Sequence, residues 1–177
     1  METTDLIQGA LLFAARAHNG QLRPGSDIPY LVHLCDVALE VATTLAIEPG
    51  YDHELALCCA LLHDVLEDTS IDEATLARQF GPTITAGVRA LTKDLSLPSE
   101  QRMADSLRRI QTQPREVWLV KLADRISNLS TPPPAHWSAE RVATYRAESE
   151  FILATLGIAS PRLAARLRAK IDQYGVQ

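Results

Sequence analysis

Several features are scarce or missing in these 177 residues. No stretch of eighteen consecutive apolar residues occurs, which excludes a membrane-spanning helix. The opening METTDLIQGA has no basic region ahead of an apolar core, so a secretory signal is not expected. A basic excess is missing as well. Seventeen Lys and Arg face twenty-two Asp and Glu, for a net charge of −5. That speaks against a general nucleic-acid binder. It leaves room for a small phosphorylated substrate, because a bound metal can supply the positive charge. Only three cysteines are present, Cys35, Cys58 and Cys59, and none forms a C-x-x-C pair. They read as reduced thiols of a cytoplasmic protein, packed as small hydrophobes. Internal repeats and low-complexity tracts are absent too. What is there has globular composition, 46% hydrophobic and 22% charged. The length fits one domain, residues 1–177, with a sizeable core.

The apolar pattern has helical period nearly throughout, and no run alternates at strand period for more than a few residues. The expected fold is therefore all-α, a single compact domain of about eight to ten helices. Leu6, Ala10, Phe13, Ala14 and Ala17 mark a first helix that stops near Asn19-Gly20. A loop from Gln21 to Pro29 leads into a second helix, about Val32 to Ala46. Asp52 is placed to cap a third, running to about Leu66. Thr69-Ser70 with Glu73 marks a short fourth helix, and Gly81-Pro82 opens a fifth. Pro98 and Pro114 open the sixth and seventh near N1. Thr131-Pro132-Pro133-Pro134 is a stiff connector. A long helix from Ser138 to Leu156 and a last one from Pro161 complete the chain.

The third helix carries the chemistry. On a helical wheel Leu55, Cys58, Cys59, Leu62, Val65 and Leu66 form an apolar stripe, and His63, Asp64, Glu67 and Asp68 fall on the opposite arc. Three carboxylates at a helix C-terminus oppose the dipole. A divalent metal would remove the conflict, with His and Asp as ligands; the bland alternative is a solvated polar face. The seventh helix is apolar around most of its circumference, which marks it as central. Asp124 is then a carboxylate inside the core and needs an arginine or a metal. Asn128 lies one turn further on, aimed the same way. His33, at the start of the second helix, completes a set of two imidazoles and two carboxylates. Mixed N/O ligation without thiolate suits manganese, iron, nickel or zinc, and an octahedral ion would leave positions for water and substrate. Glu67 or Asp68 could orient or deprotonate that water.

The H…HD…D order on a helical chain resembles the HD metal-dependent phosphohydrolase superfamily. The resemblance extends further. Gly20-Gln21-Leu22-Arg23, Pro29-Tyr30-Leu31-Val32-His33, His63-Asp64-Val65-Leu66-Glu67-Asp68-Thr69 and Lys121-Leu122-Ala123-Asp124-Arg125-Ile126-Ser127-Asn128-Leu129 are similar to the hydrolase domain of RelA/SpoT alarmone enzymes. The Glu67-Asp68 pair distinguishes this branch from generic HD proteins. Trp137 to Tyr145 is similar to the small stand-alone hydrolases of the metazoan SpoT-homologue type. The resemblance spans roughly Ile7 to Tyr174, with no room for a synthetase domain or regulatory tail. It implies a manganese-dependent enzyme, other divalent transition metals being possible, that removes the 3′-pyrophosphate of guanosine tetra- and pentaphosphate. It implies His33, His63, Asp64 and Asp124 as metal ligands and Glu67 and Asp68 as the catalytic acidic pair. Arg23 would sit beside the base, Asn128 near the ribose and scissile phosphate, and Tyr145 against the substrate. Two positions depart from the pattern: Pro24 stands where many relatives have lysine, and Leu34 where proline is common. Lys93 and Arg102 are the expected phosphate contacts in this chain; each also fits a solvated surface charge.

The expected partner is a small-molecule nucleotide, with no nucleic acid, no membrane and no obligate protein partner. Either guanine or adenine fits as the base. The rival readings are another HD nucleotide phosphohydrolase, such as a monophosphatase or an NADPH phosphatase, and a non-catalytic nucleotide-binding HD module.

Overall fold

The computed structural model describes residues 3–175. Among them nine α-helical segments and one 3-10 turn follow one another: α1 Thr3–Ala17, α2 Leu31–Ile47, α3 His53–Leu62, α4 Val65–Asp68, α5 Glu73–Leu91, α6 Ser99–Gln111, α7 Arg115–Leu129, α8 Ala139–Leu156, the 3-10 turn Gly157–Ala159, and α9 Pro161–Gln173. The only β-type pairing among these residues is an isolated bridge between Leu22 and Pro29. The all-α expectation holds.

Helix starts follow local chemistry. Asp52 accepts from the Leu55 amide at 3.0 Å, Asp72 from Thr75, Ser138 from Arg141 and Ser160 from Leu163. Each supplies an acceptor to an amide that has no partner within the helix. Pro98 and Pro114 stand at the N-cap position, one residue earlier than expected. Thr69-Ser70 does not start a helix. The Thr69 hydroxyl donates to the Val65 carbonyl and accepts from the Ile71 amide, and Asp72 caps α5 instead. Inside α5, Gly81 has φ 79°, a conformation open to glycine, and Pro82 restarts the helix beyond the kink. The two helices expected there are thus two halves of one bent segment.

The largest departure is at the third helix. It ends at Leu62 rather than Leu66, and a tight turn through His63 and Asp64 leads into the one-turn α4. Asp64 adopts φ −100°, ψ −2°, the bridge region used in turns. The Glu67 and Asp68 amides then bond back to the Asp64 carbonyl. The arc bearing Ala56 and Ala60 is no solvated face, because both are fully buried.

Two inner helices organise the packing. α3 touches α1, α2, α5 and α7, and α7 touches α2, α3, α5, α6, α8 and α9. From Val117 to Ile126, α7 is buried at every residue but Trp118. α5 approaches α3 and α7 closely at Gly87, where a Cβ would lie 2.8 Å from Cys59 Sγ and 3.0 Å from Val117 Cγ2. Both cysteines of α3 are buried, and Cys35 is half-buried; all three are unpaired thiols.

Gly87→Val should therefore destabilise the fold by about 2 kcal/mol through overpacking. Denaturant unfolding of the two proteins, compared at equal slope, checks this.

Candidate functional site

Three separated segments meet at the floor of one cleft. The ribbon Gln21–Tyr30 turns into α2 and delivers His33 in its first turn. The break after α3 delivers His63 and Asp64, and the middle of α7 delivers Asp124. In an unbroken helix neighbours point about 100° apart, so the turn is what lets His63 and Asp64 face the same point. His33 Nε2 lies 3.6 Å from Asp64 Oδ2 and 3.5 Å from Asp124 Oδ1. His63 Nε2 lies 3.0 Å from Asp64 Oδ2 and 3.9 Å from Asp124 Oδ1. Donor atoms of His33, His63 and Asp64 all fall within 4.8 Å of one another.

The donor set fits a metal ion. His63 Nδ1 faces the Ala60 carbonyl at 2.8 Å and can only donate there, so in the neutral ring the lone pair is on Nε2. That Nε2 is buried and has no hydrogen-bond partner; its approach to Asp64 is short but lacks hydrogen-bond geometry. A buried nitrogen lone pair aimed at two carboxylates is a costly arrangement unless a cation lies between them. His33 is oriented likewise, with Nδ1 against Ser127 Oγ at 3.1 Å and Nε2 toward the carboxylates.

Asp124 receives a partner that the sequence reading did not name. Lys121 Nζ meets its Oδ2 at 2.9 Å, one helical turn before it, and Asn128 Nδ2 donates to its Oδ1 at 2.6 Å. Burial opposes ionisation of Asp124, but Lys121, His33 and His63 hold its carboxyl well below the usual range. Asp64 behaves the same way against the two histidines. Burial works against protonated His33, yet Asp124 and Asp64 outweigh it and push its pKa up to about 9 in the metal-free protein.

Above this floor opens a cleft of about 370 Å³. Glu67 and Asp68 line one side. Glu67 accepts from the Lys93 amide at 2.9 Å and from Lys93 Nζ at 2.6 Å. Asp68 is raised, first by burial and then by the charges of Asp64 and Glu67. Lys93, Arg102, Asn128 and Tyr145 line the cleft as well. The Arg102 guanidinium is held by the Leu97 and Leu95 carbonyls. Burial pushes the Tyr145 hydroxyl up to about 12. Its ring lies under the Arg125 guanidinium, 4.1 Å from Cζ to the ring centroid.

His33 belongs to the ligand cluster without lining the cleft, whereas Arg23 is in neither; it pairs with Asp36 at 3.2 Å. Conversely, Tyr30, Lys121, Arg125, Ser127 and Arg141, which stand in the matching sequence stretches without an assigned role, are brought to the site by the structure. Tyr30 donates to Asp64 Oδ2 at 2.5 Å. Lys121 was legible: a lysine three residues before a core carboxylate shares its face. Tyr30, 34 residues from Asp64 in sequence, left no local signal.

Residues 10–163 match the family model described as HD domain. The chain is 30% identical over 170 residues to the guanosine-3′,5′-bis(diphosphate) 3′-pyrophosphohydrolase MESH1 of Drosophila melanogaster, covering 94% of this chain and 93% of that one. It is 37% identical over 161 residues to a GTP pyrophosphokinase of Myxococcus xanthus, covering 86% of this chain but only 20% of that longer protein. Among solved structures, a metazoan orthologue of SpoT that hydrolyses ppGpp and plays a role in starvation responses superposes with a TM-score of 0.81. The identity is 29%, over 97% of each chain.

The electrostatics of the floor predict opposite pH slopes for stability and metal uptake. The pKa of His33 rises from 6.5 to about 9 on folding. Its contribution to metal-free stability is therefore fully present below pH 6.5 and is lost as pH rises through 9. Metal uptake should strengthen over the same interval, because the imidazoles must lose their protons. Melting of chelator-treated protein and metal titration at matched pH values measure both slopes. Asp64→Asn should flatten the first.

Proposed function

This chain belongs to the HD-domain family, on the branch shared with the MESH1 3′-pyrophosphohydrolases, and from that premise we propose that it removes the 3′-pyrophosphate of guanosine 3′,5′-bis(diphosphate). The same chemistry extends to the pentaphosphate and to adenosine counterparts. The observation that carries the reading is the convergence of two buried imidazoles, the buried Asp124 and the half-buried Asp64 at the floor of a cleft whose walls hold Lys93, Arg102 and Arg125.

His33, His63, Asp64 and Asp124 would hold a divalent transition metal, and the mixed N/O donor set, without thiolate, accommodates manganese. When bound, it supplies Lewis-acid polarisation of a phosphate oxygen and acidifies water. The chain's own residues do the rest. Lys93 and Arg102 meet the phosphate charge, and Glu67 fixes Lys93 through both its amide and its ammonium group. Asn128 steadies Asp124 and stands where the ribose edge would lie, and Tyr145 offers a wall to the substrate. Arg23, on the ribbon ahead of α2, is assigned to the base, which requires it to exchange its Asp36 partner for the nucleotide. Asp68 is the carboxyl whose raised pKa suits it to accept a proton from the attacking water. Water adds to the phosphorus on the ribose 3′ oxygen, the bond from phosphorus to that oxygen breaks, and the oxygen leaves with a proton. The products are GDP and pyrophosphate. Three unpaired thiols support assignment to the reducing cytoplasm.

Asp64→Ala or His63→Ala should remove bound metal and activity together, with helical content retained by circular dichroism. Full activity in either would sink the assignment. Glu67→Gln and Asp68→Asn should each keep the metal and lower turnover at least about 100-fold. Loss of metal in Glu67→Gln would make Glu67 a ligand instead. Incubation with Mn²⁺ and guanosine or adenosine 3′-pyrophosphates should yield pyrophosphate and the nucleoside 5′-diphosphate on anion exchange. Orthophosphate as first product, with good turnover of nucleoside monophosphates or NADPH, would assign a different phosphohydrolase.

A further inference from the structure

Tyr30 closes the ribbon that carries Arg23. Its amide donates to the Gln21 carbonyl at 2.9 Å, and the Arg23 amide donates to Ile28 at 2.8 Å. Its hydroxyl donates to Asp64 Oδ2 at 2.5 Å, the one well-formed hydrogen bond to that carboxylate among the described residues. Its ring lies on that of His18, with centroids 5.1 Å apart and planes 25° from parallel. His18, just beyond α1, is 4% exposed. Its Nδ1 meets Gln21 Oε1 at 2.7 Å, while its Nε2 is buried with no partner. An apolar side chain would fill that space without leaving a nitrogen unsatisfied. The imidazole is therefore tied to what it touches, the Gln21 amide and the Tyr30 ring.

Resting on the metal-site reading above, we infer that Tyr30 is a positioning residue: its hydroxyl holds the Asp64 carboxylate in its ligating orientation, and the buried His18 ring holds Tyr30 in place. Asp64 stands at the head of α4, and its carboxylate makes no cap hydrogen bond to that helix, so other groups must set its rotamer. Hydrogen bonds to ligating carboxylates typically govern metal affinity by ten- to a hundredfold. The same contact adds a second link between the ribbon bearing Arg23 and the floor of the cleft, beside the chain itself, which runs from Tyr30 into α2 and His33.

Calorimetric titration of Mn²⁺ into chelator-stripped protein tests this without any turnover assay. Tyr30→Phe keeps the ring and its stack and should bind Mn²⁺ at least about tenfold more weakly. His18→Ala should also weaken binding, and His18→Phe should restore it to within about twofold, as ring stacking requires. Metal-free melting gives the second readout. In an Asp64→Ala background, which removes the acceptor, Tyr30→Phe should lower the melting temperature less than it does in the wild type. Wild-type-like Mn²⁺ affinity in Tyr30→Phe, or an undiminished melting loss in the Asp64→Ala background, overturns the inference and leaves Tyr30 a packing residue. Failure of the wild type to take up Mn²⁺ would overturn the metal-site reading itself.

Discussion

The carboxylate of Asp124 is the constraint on which the rest depends. It sits in the middle of α7, the helix that touches six other helices, and it is 8% exposed. An unpaired charge there would cost several kcal/mol. The chain answers from within α7, with Lys121 and Asn128 each one turn away, and from α2 and the end of α3 with two imidazoles. These contacts neutralise the carboxylate without enclosing it. One side stays open to the cleft, and that side is where a cation and then a phosphate can be received.

The outer contacts of the histidines serve the same end. Ser127 and the Ala60 carbonyl each occupy an Nδ1, so both Nε2 atoms are directed at the carboxylates. Ala60 precedes His63 by three residues, so its carbonyl orients the ring and lies at the end of the regular helix. The bond that fixes the tautomer and the break in the backbone thus occur together.

Charge across the cleft is arranged in opposition. The floor and the Glu67-Asp68 wall are acidic, and Lys93, Arg102 and Arg125 face them. Burial works against the ammonium of Lys93, yet Glu67 keeps its pKa above the ordinary lysine value. A cation at the floor and a polyanion above it would satisfy both halves at once. A net-negative chain can thus present a cleft with basic walls: local arrangement, rather than the total of −5, sets the field there.

Much of this protein is written in short-range pattern. Helical period, the caps Asp52, Ser138 and Ser160, the prolines just ahead of α6 and α7 and the proline that opens α9 depend on residues within a few positions of one another, and they mark the all-α architecture directly. The oddity of carboxylates at a helix end and of Asp124 inside an apolar helix was equally visible, because helix dipoles and burial costs follow from residue type alone. The turn at His63-Asp64 was not. Its residues carry no glycine or proline, and the wheel continued through them to Leu66; the turn aims both side chains at His33 and Asp124, which lie tens of residues away. Tyr30 against Asp64, and Arg23 against Asp36 rather than in the cleft, belong to the same class. Sequence by itself determined which residues had to be helical and which buried charges needed partners, since those are properties of local chain and solvent. Only the tertiary structure decided which distant group answers each charge, because that depends on where whole helices come to rest against one another.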